Sequence, residues 1–76
     1  MHYQRRANVE VGEVYTVENA PSRATVARRI IGFPDGDTIT YMGVYYGGKE
    51  IKTTMSLRSF KEWILKNNAK KEKKDG

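Results

Sequence analysis

The sequence predicts a mainly β domain: a small barrel of four to five antiparallel strands, a C-terminal α-helix packed on it, and a basic tail. Three observations carry this. β-Branched and aromatic residues are concentrated between Val14 and Thr54 and broken by turn residues at Asn19–Arg23, Pro34-Asp35-Gly36 and Gly47-Gly48. After Ser56 the apolar period lengthens, with Leu57, Phe60 and Ile64 on one helical stripe. From Lys66 onward only Ala69 is apolar.

Taken in order, Met1–Glu10 reads as a flexible N-terminal segment. A first strand is expected at Val14–Val17 after the turn residue Gly12, and a second at Thr25–Phe33. Pro34-Asp35-Gly36 has the pattern of a three-residue hairpin loop with Gly36 left-handed. The third strand, Thr38–Tyr46, then turns at Gly47-Gly48 into Lys49–Thr54. Ser56 is a good N-cap for a helix over 57–65, with Trp63 at the edge of its apolar stripe. One domain spans residues 11–65, and residues 66–76 are expected to be a disordered Lys-rich tail.

Hairpin lengths give a register. With Gly47-Gly48 as a two-residue loop, Val44 faces Ile51, Met42 faces Thr53 and Thr40 faces Met55 on an inner face, which leaves Tyr41, Gly43 and Tyr45 outside beside Lys52. Pairing across Pro34-Asp35-Gly36 sets Ile30 opposite Thr40 and Arg29 opposite Tyr41, with Arg29 outside. The same register puts Arg28 inside, opposite Met42, where an unpaired guanidinium is costly. A bulge near Arg28 and Arg29, or a place at the barrel rim, would relieve it.

Composition narrows function. The chain has 76 residues, no cysteine and a single histidine, His2, so thiolate nucleophiles, disulfides and sulfur-ligated zinc are excluded and a His-based acid/base pair has no partner. The acidic residues are scattered over turns and edges. Asp35 and Asp37 bracket Gly36, but the further oxygens of a calcium loop are missing. No phosphate-binding glycine motif occurs. The expectation is a non-enzymatic domain without cofactor or metal. No apolar run approaches the roughly 20 residues that cross a bilayer, and the expected location is cytoplasmic, with no membrane partner.

The formal net charge is +5, yet Lys66–Gly76 holds five lysines against Glu72 and Asp75, leaving residues 11–65 with seven basic and six acidic side chains. The tail therefore supplies most of the excess. On the domain body the constellation of interest is Arg28, Arg29, Tyr41, Tyr45 and Lys52, with Arg58 on the helix: aromatic planes stack on bases while cations meet phosphates.

Gly12-Glu13-Val14-Tyr15, Thr25–Gly32, Pro34-Asp35-Gly36-Asp37 and Ser56-Leu57 with Phe60 and Trp63 together resemble a group of small phage and prophage proteins and, more broadly, Src-homology-3-like (SH3-like) small barrels. The resemblance implies a nucleic-acid or protein interaction module and carries no functional residues over. Three readings stand: a DNA- or RNA-binding module of phage or mobile-element origin using Arg28, Arg29, Tyr41, Tyr45, Lys52 and Arg58; a protein-interaction adaptor acting through a sheet edge or the tyrosine face; and a structural or dimer-forming domain.

Overall fold

The computed structural model describes residues 5–6 and 8–72. Its elements are β1 (Arg5–Arg6), β2 (Val9–Glu10), β3 (Val14–Thr16), β4 (Ala27–Gly32), β5 (Thr38–Val44), β6 (Glu50–Ser56), α1 (Leu57–Lys66) and β7 (Lys70–Lys71). β1 and β2 form a small hairpin; the other five strands form one antiparallel sheet in the order β6-β5-β4-β3-β7. The expected mainly β domain with a following helix is what forms, and β4, β5 and β6 are the expected meander. The barrel is not closed: β6 and β7 are the two edges of an open sheet.

Both hairpin registers differ from expectation by one residue. Tyr45 N–H donates to the Lys49 carbonyl (2.8 Å) and Gly48 N–H to the Tyr45 carbonyl (3.0 Å), so the loop is Tyr46-Gly47-Gly48, one residue longer than the glycine pair. Gly47 and Gly48 stand at φ 90° and 89°, a region that a side chain makes costly. The pairing that follows is Val44↔Glu50, Gly43↔Ile51, Met42↔Lys52, Tyr41↔Thr53, Thr40↔Thr54 and Ile39↔Met55. A shift of one residue exchanges the faces of a strand. Ile39, Tyr41 and Gly43 are therefore inside, and Thr40, Met42 and Val44 lie on the open face.

Between β4 and β5 the connection is also longer than Pro34-Asp35-Gly36, because the strands end at Gly32 and begin at Thr38. Asp35 Oδ1 accepts from Asp37 N–H (2.8 Å), an Asx turn that does the work assigned to Gly36, which is not among the positive-φ glycines. That hydrogen bond, with help from Thr38, holds the Asp35 carboxyl below its ordinary range. Register here is Arg28↔Gly43, Arg29↔Met42 and Ile30↔Tyr41, and the irregularity falls between Ile30 and Gly32 rather than at Arg28 and Arg29.

The inner face is covered by α1, with Val9 of β2 joining the core. Val9, Tyr15, Ile30, Phe33, Ile39, Tyr41 and Phe60 are buried together, flanked by Met55, Leu57, Trp63 and Ile64. Val9 belongs to this core, so the N-terminal segment contributes to the fold where it is described; residues 1–4, which include His2, and residue 7 lie outside the described residues. Ser56 caps α1 as expected, its hydroxyl accepting from Ser59 N–H at 3.1 Å.

Beyond α1 the chain turns back and pairs as β7, within the segment expected to be a disordered tail. Asn68 stands at φ 52°, Asn68 N–H donates to Leu65 O (3.3 Å) and Ala69 N–H to Ile64 O (2.9 Å). These are the two hydrogen bonds of a Schellman motif, and Ala69 packs on the core beside Ile64 as that motif requires. The turn sends Lys70–Lys71 back along β3, where Tyr15 pairs with Lys71 and Thr16 with Lys70. Residues 73–76 lie outside the described residues.

One carboxylate joins β2, β3 and β7. Glu13, 8% exposed, accepts from Glu10 N–H (2.8 Å) and the Tyr15 hydroxyl (3.3 Å) on Oε1 and pairs through Oε2 with Lys71 Nζ (3.1 Å). Burial alone would raise its pKa; the Glu10 N–H, the Lys71 ammonium and the Tyr15 hydroxyl outweigh that and hold it below 4.5. Burial and the adjacent carboxylate push the Tyr15 phenol up to about 12.

Two outcomes are expected. Because the folded Glu13 pKa is depressed, its contribution is complete above the unfolded value and is lost as pH falls through the folded one; denaturant melts should show Glu13→Gln costing about 1–2 kcal/mol at pH 7 and progressively less below pH 4.5. In the same assay at neutral pH, Asn68→Val should cost about 1–2 kcal/mol and Asn68→Gly almost nothing, since only the first forbids the left-handed cap.

Candidate interaction surface

The six residues singled out from the sequence do not share a surface. Tyr41, 4% exposed, lies between sheet and helix with its ring centroid 5.3 Å from that of Phe60. Arg28 is on the same inner side. Tyr45, half-buried, follows β5 with the inner-face parity of Tyr41 and Gly43. Arg29 and Lys52 are exposed on the open face, on either side of Met42, and Arg58 is exposed on α1. The expected outer platform of Tyr41 and Tyr45 beside Lys52 is thus corrected: the longer turn put the tyrosines inside and left the lysine out. The glycine slot between them is inside as well, and it is filled. A Cβ on Gly43 would come within 2.7 Å of the Thr25 methyl and 3.3 Å of the Tyr41 ring.

Arg28 accounts for its awkward position by its neighbours. Its guanidinium carbon sits 4.0 Å from the Trp63 ring centroid and 4.5 Å from that of Tyr41, with Phe60 at 5.7 Å. Nε donates to Thr25 Oγ1 (2.9 Å) and Nη1 points at Met55 Sδ (3.8 Å). No carboxylate lies within ion-pair distance of it among the described residues. Burial lowers its pKa, the phenols of Tyr41 and Tyr45 acting in the opposite sense, and a guanidinium remains charged regardless. Aromatic faces replace the missing acid, at about 0.5–2 kcal/mol for each cation–π contact. The side chain spans from β4 to α1 and fastens helix to sheet. It borders a shallow cleft with Ser59, Glu62, Trp63 and Lys66, but its guanidinium is already engaged by the Tyr41 and Trp63 rings.

What remains available is on the sheet. Its open face has a half-buried strip of Val14, Ala27, Met42 and Val44, with Ile31 at its border and Arg29 3.9 Å from Glu50. Thr40 and Thr54 share a hydrogen bond of 2.7 Å across it. The sheet's two edges are unequal. β7 is two lysines long, short and charged in the way that discourages further pairing. β6 is seven residues without proline or bulge. Hydrogen bonds to β5 run through odd-numbered residues, as Tyr45 to Lys49 and Leu57 to Asp37 show, so Glu50, Lys52 and Thr54 turn their N–H and C=O groups outward. Among the described residues these groups meet no partner. Ile51 beside them is 40% exposed.

The edge was not found from the residues because strand order is not a property of β6; it follows from β4 pairing on the far side of β5. The Arg28 cage had a signal, Arg28 with Tyr41 and Trp63, that only the correct register assembles. Among the described residues no group of three or more His, Asp or Glu side chains could hold a metal ion, and no described helix is long and apolar enough to cross a membrane.

If Arg28 braces helix to sheet, Arg28→Lys should lower stability by about 1–2 kcal/mol in chemical denaturation, because an ammonium cannot meet the Tyr41 and Trp63 rings and also keep the Thr25 bond. Arg28→Met, which keeps the volume, should cost less than Arg28→Ala.

Compared with known proteins, the chain matches no family model, no curated protein and no solved structure.

Proposed function

We propose that this chain is a non-enzymatic protein-interaction module that docks an extended partner strand along β6. The observation that carries the reading is the row of outward main-chain groups at Glu50, Lys52 and Thr54, without partners among the described residues, next to the exposed Ile51. Such an edge gives affinity through the backbone and selectivity through alternate side chains. In this reading the domain is an open relative of the Src-homology-3-like small barrel, at work in the cytoplasm and encoded by a phage or another mobile element. The β4–β5–β6 meander running directly into α1 supports the first part, and the residue pattern of turns and helix supports the last.

Nucleic acid is the second reading, favoured by the exposed Arg58, Lys61, Lys66 and Lys70 along α1 and β7. These cations attract phosphates without base selectivity, while the buried Tyr41 offers no stacking plane.

The two separate in one capture experiment from cell lysate, with and without nuclease, using the wild type and Thr54→Pro. Proline at 54 removes an outward donor and keeps the main-chain ladder to β5; because it also removes the Thr54 hydroxyl that bonds Thr40, Thr54→Val, which loses only that hydroxyl, serves as the control and should retain what the wild type retains. Proteins retained through nuclease treatment by the wild type and lost by Thr54→Pro are the expected result. Retention equal in both would overturn edge docking, and loss of all partners on nuclease treatment would favour the nucleic-acid reading.

A further inference from the structure

We infer that the strand which docks on β6 is β6 of a second copy of this chain, aligned antiparallel about a two-fold axis at Ile51, with Glu50 of each copy opposite Lys52 of the other. The inference rests on the edge reading above and names its occupant.

Backbone direction restricts the alignments. Only even-numbered residues of β6 turn their hydrogen-bonding groups outward, so the bonded pairs between two copies must join even residues to even residues. Centring the axis on Lys52 sets that ammonium directly against its own copy, which is unfavourable. Centring it on Thr53 places Lys52 opposite Thr54 without charge pairing and brings Leu57, where the chain leaves the sheet as α1, against Lys49 of the other copy. Centring it on Ile51 gives two opposite-charge pairs, Glu50 with Lys52 in each direction, and roughly four main-chain hydrogen bonds. It also buries the exposed Ile51 against its own symmetry mate, on the face that carries α1. The helix starts beyond the end of the other copy's strand in this alignment.

Glu50, Ile51 and Lys52 are exposed, and none is among the hydrophobic residues packed on the core. Glu50 stands 3.9 Å from Arg29, both half exposed, a loose pair that solvent screens. The contact is small, and the dimer belongs to the weak class that forms at high concentration.

Sedimentation equilibrium from about 10 μM to about 1 mM tests this. The wild-type mass should rise from 8.7 kDa toward twice that value. Lys52→Glu and Glu50→Lys should each weaken self-association roughly tenfold or more, while an equimolar mixture of the two variants should recover it as a heterodimer, because each supplies the charge that the other lacks. Circular dichroism checks that both variants fold. A wild type that stays at 8.7 kDa, single variants that associate like the wild type, or a mixture no better than its components would each overturn the inference. Since the chain has no cysteine, Ile51→Cys reads the register without background. Residues facing each other in a non-hydrogen-bonded pair lie about 4.5 Å apart, within disulfide range. Ile51→Cys should cross-link on mild oxidation and Thr53→Cys should not; equal or reversed yields would overturn the alignment. A monomeric wild type would reject the second copy while leaving the edge itself to be judged by capture with Thr54→Pro.

Discussion

The arrangement of this molecule depends on the turn at Tyr46-Gly47-Gly48. With both glycines in the left-handed region, the hairpin closes on Tyr45 and Lys49 and its pairing is fixed from there to Leu57. A loop shorter by one residue would present the same strands with every side chain reversed. The turn therefore decides that Ile39 and Tyr41 build the core, that Gly43 leaves room for the Thr25 methyl, and that Lys52 stands on the open face. Tyr46 anchors the turn in place, its hydroxyl donating to the Ala20 carbonyl at 2.9 Å across to the β3–β4 loop.

Once Tyr41 is inside, Arg28 follows by parity with Ile30 and must be accommodated. The solution is aromatic rather than ionic: Tyr41 on one element and Trp63 on the other enclose the guanidinium, and Phe60 beneath them packs against Tyr15, Tyr41 and Trp63. A domain this small buries a modest fraction of its surface, so joints between its elements matter as much as the core itself. Glu13 is the second such joint. Its carboxylate is reached by main chain from β2, a hydroxyl from β3 and an ammonium from β7, so the beginning and the end of the domain are tied at one buried point.

These joints bear on function by exclusion. The cation with the most distinctive surroundings is occupied in holding the helix, and the tyrosine expected to meet a ligand is under it. The periphery of the sheet, by contrast, is asymmetric. One edge is closed by two lysines arriving from the Schellman turn; the other is a long regular strand whose outward groups meet no partner among the described residues. The absence of a closed barrel thus has a positive consequence, because an unclosed sheet keeps an edge that another strand can complete.

The strand-forming segments, the order of the meander, the capped amphipathic helix and the near-neutral body are legible in the residues alone, because they follow from local propensity and from neighbours in the chain. The turn into β7 is local as well: Asn68 as a left-handed cap followed by the apolar Ala69. Which face each side chain takes is settled by packing between distant elements. Loop lengths of two and three residues are both compatible with a glycine pair, and the choice depends on which register lets Tyr41, Phe60 and Trp63 pack around Arg28, residues drawn from β4, β5 and α1. The same holds for the open edge at β6, since whether a strand is central or peripheral depends on the pairing of others and is not written in its own seven residues.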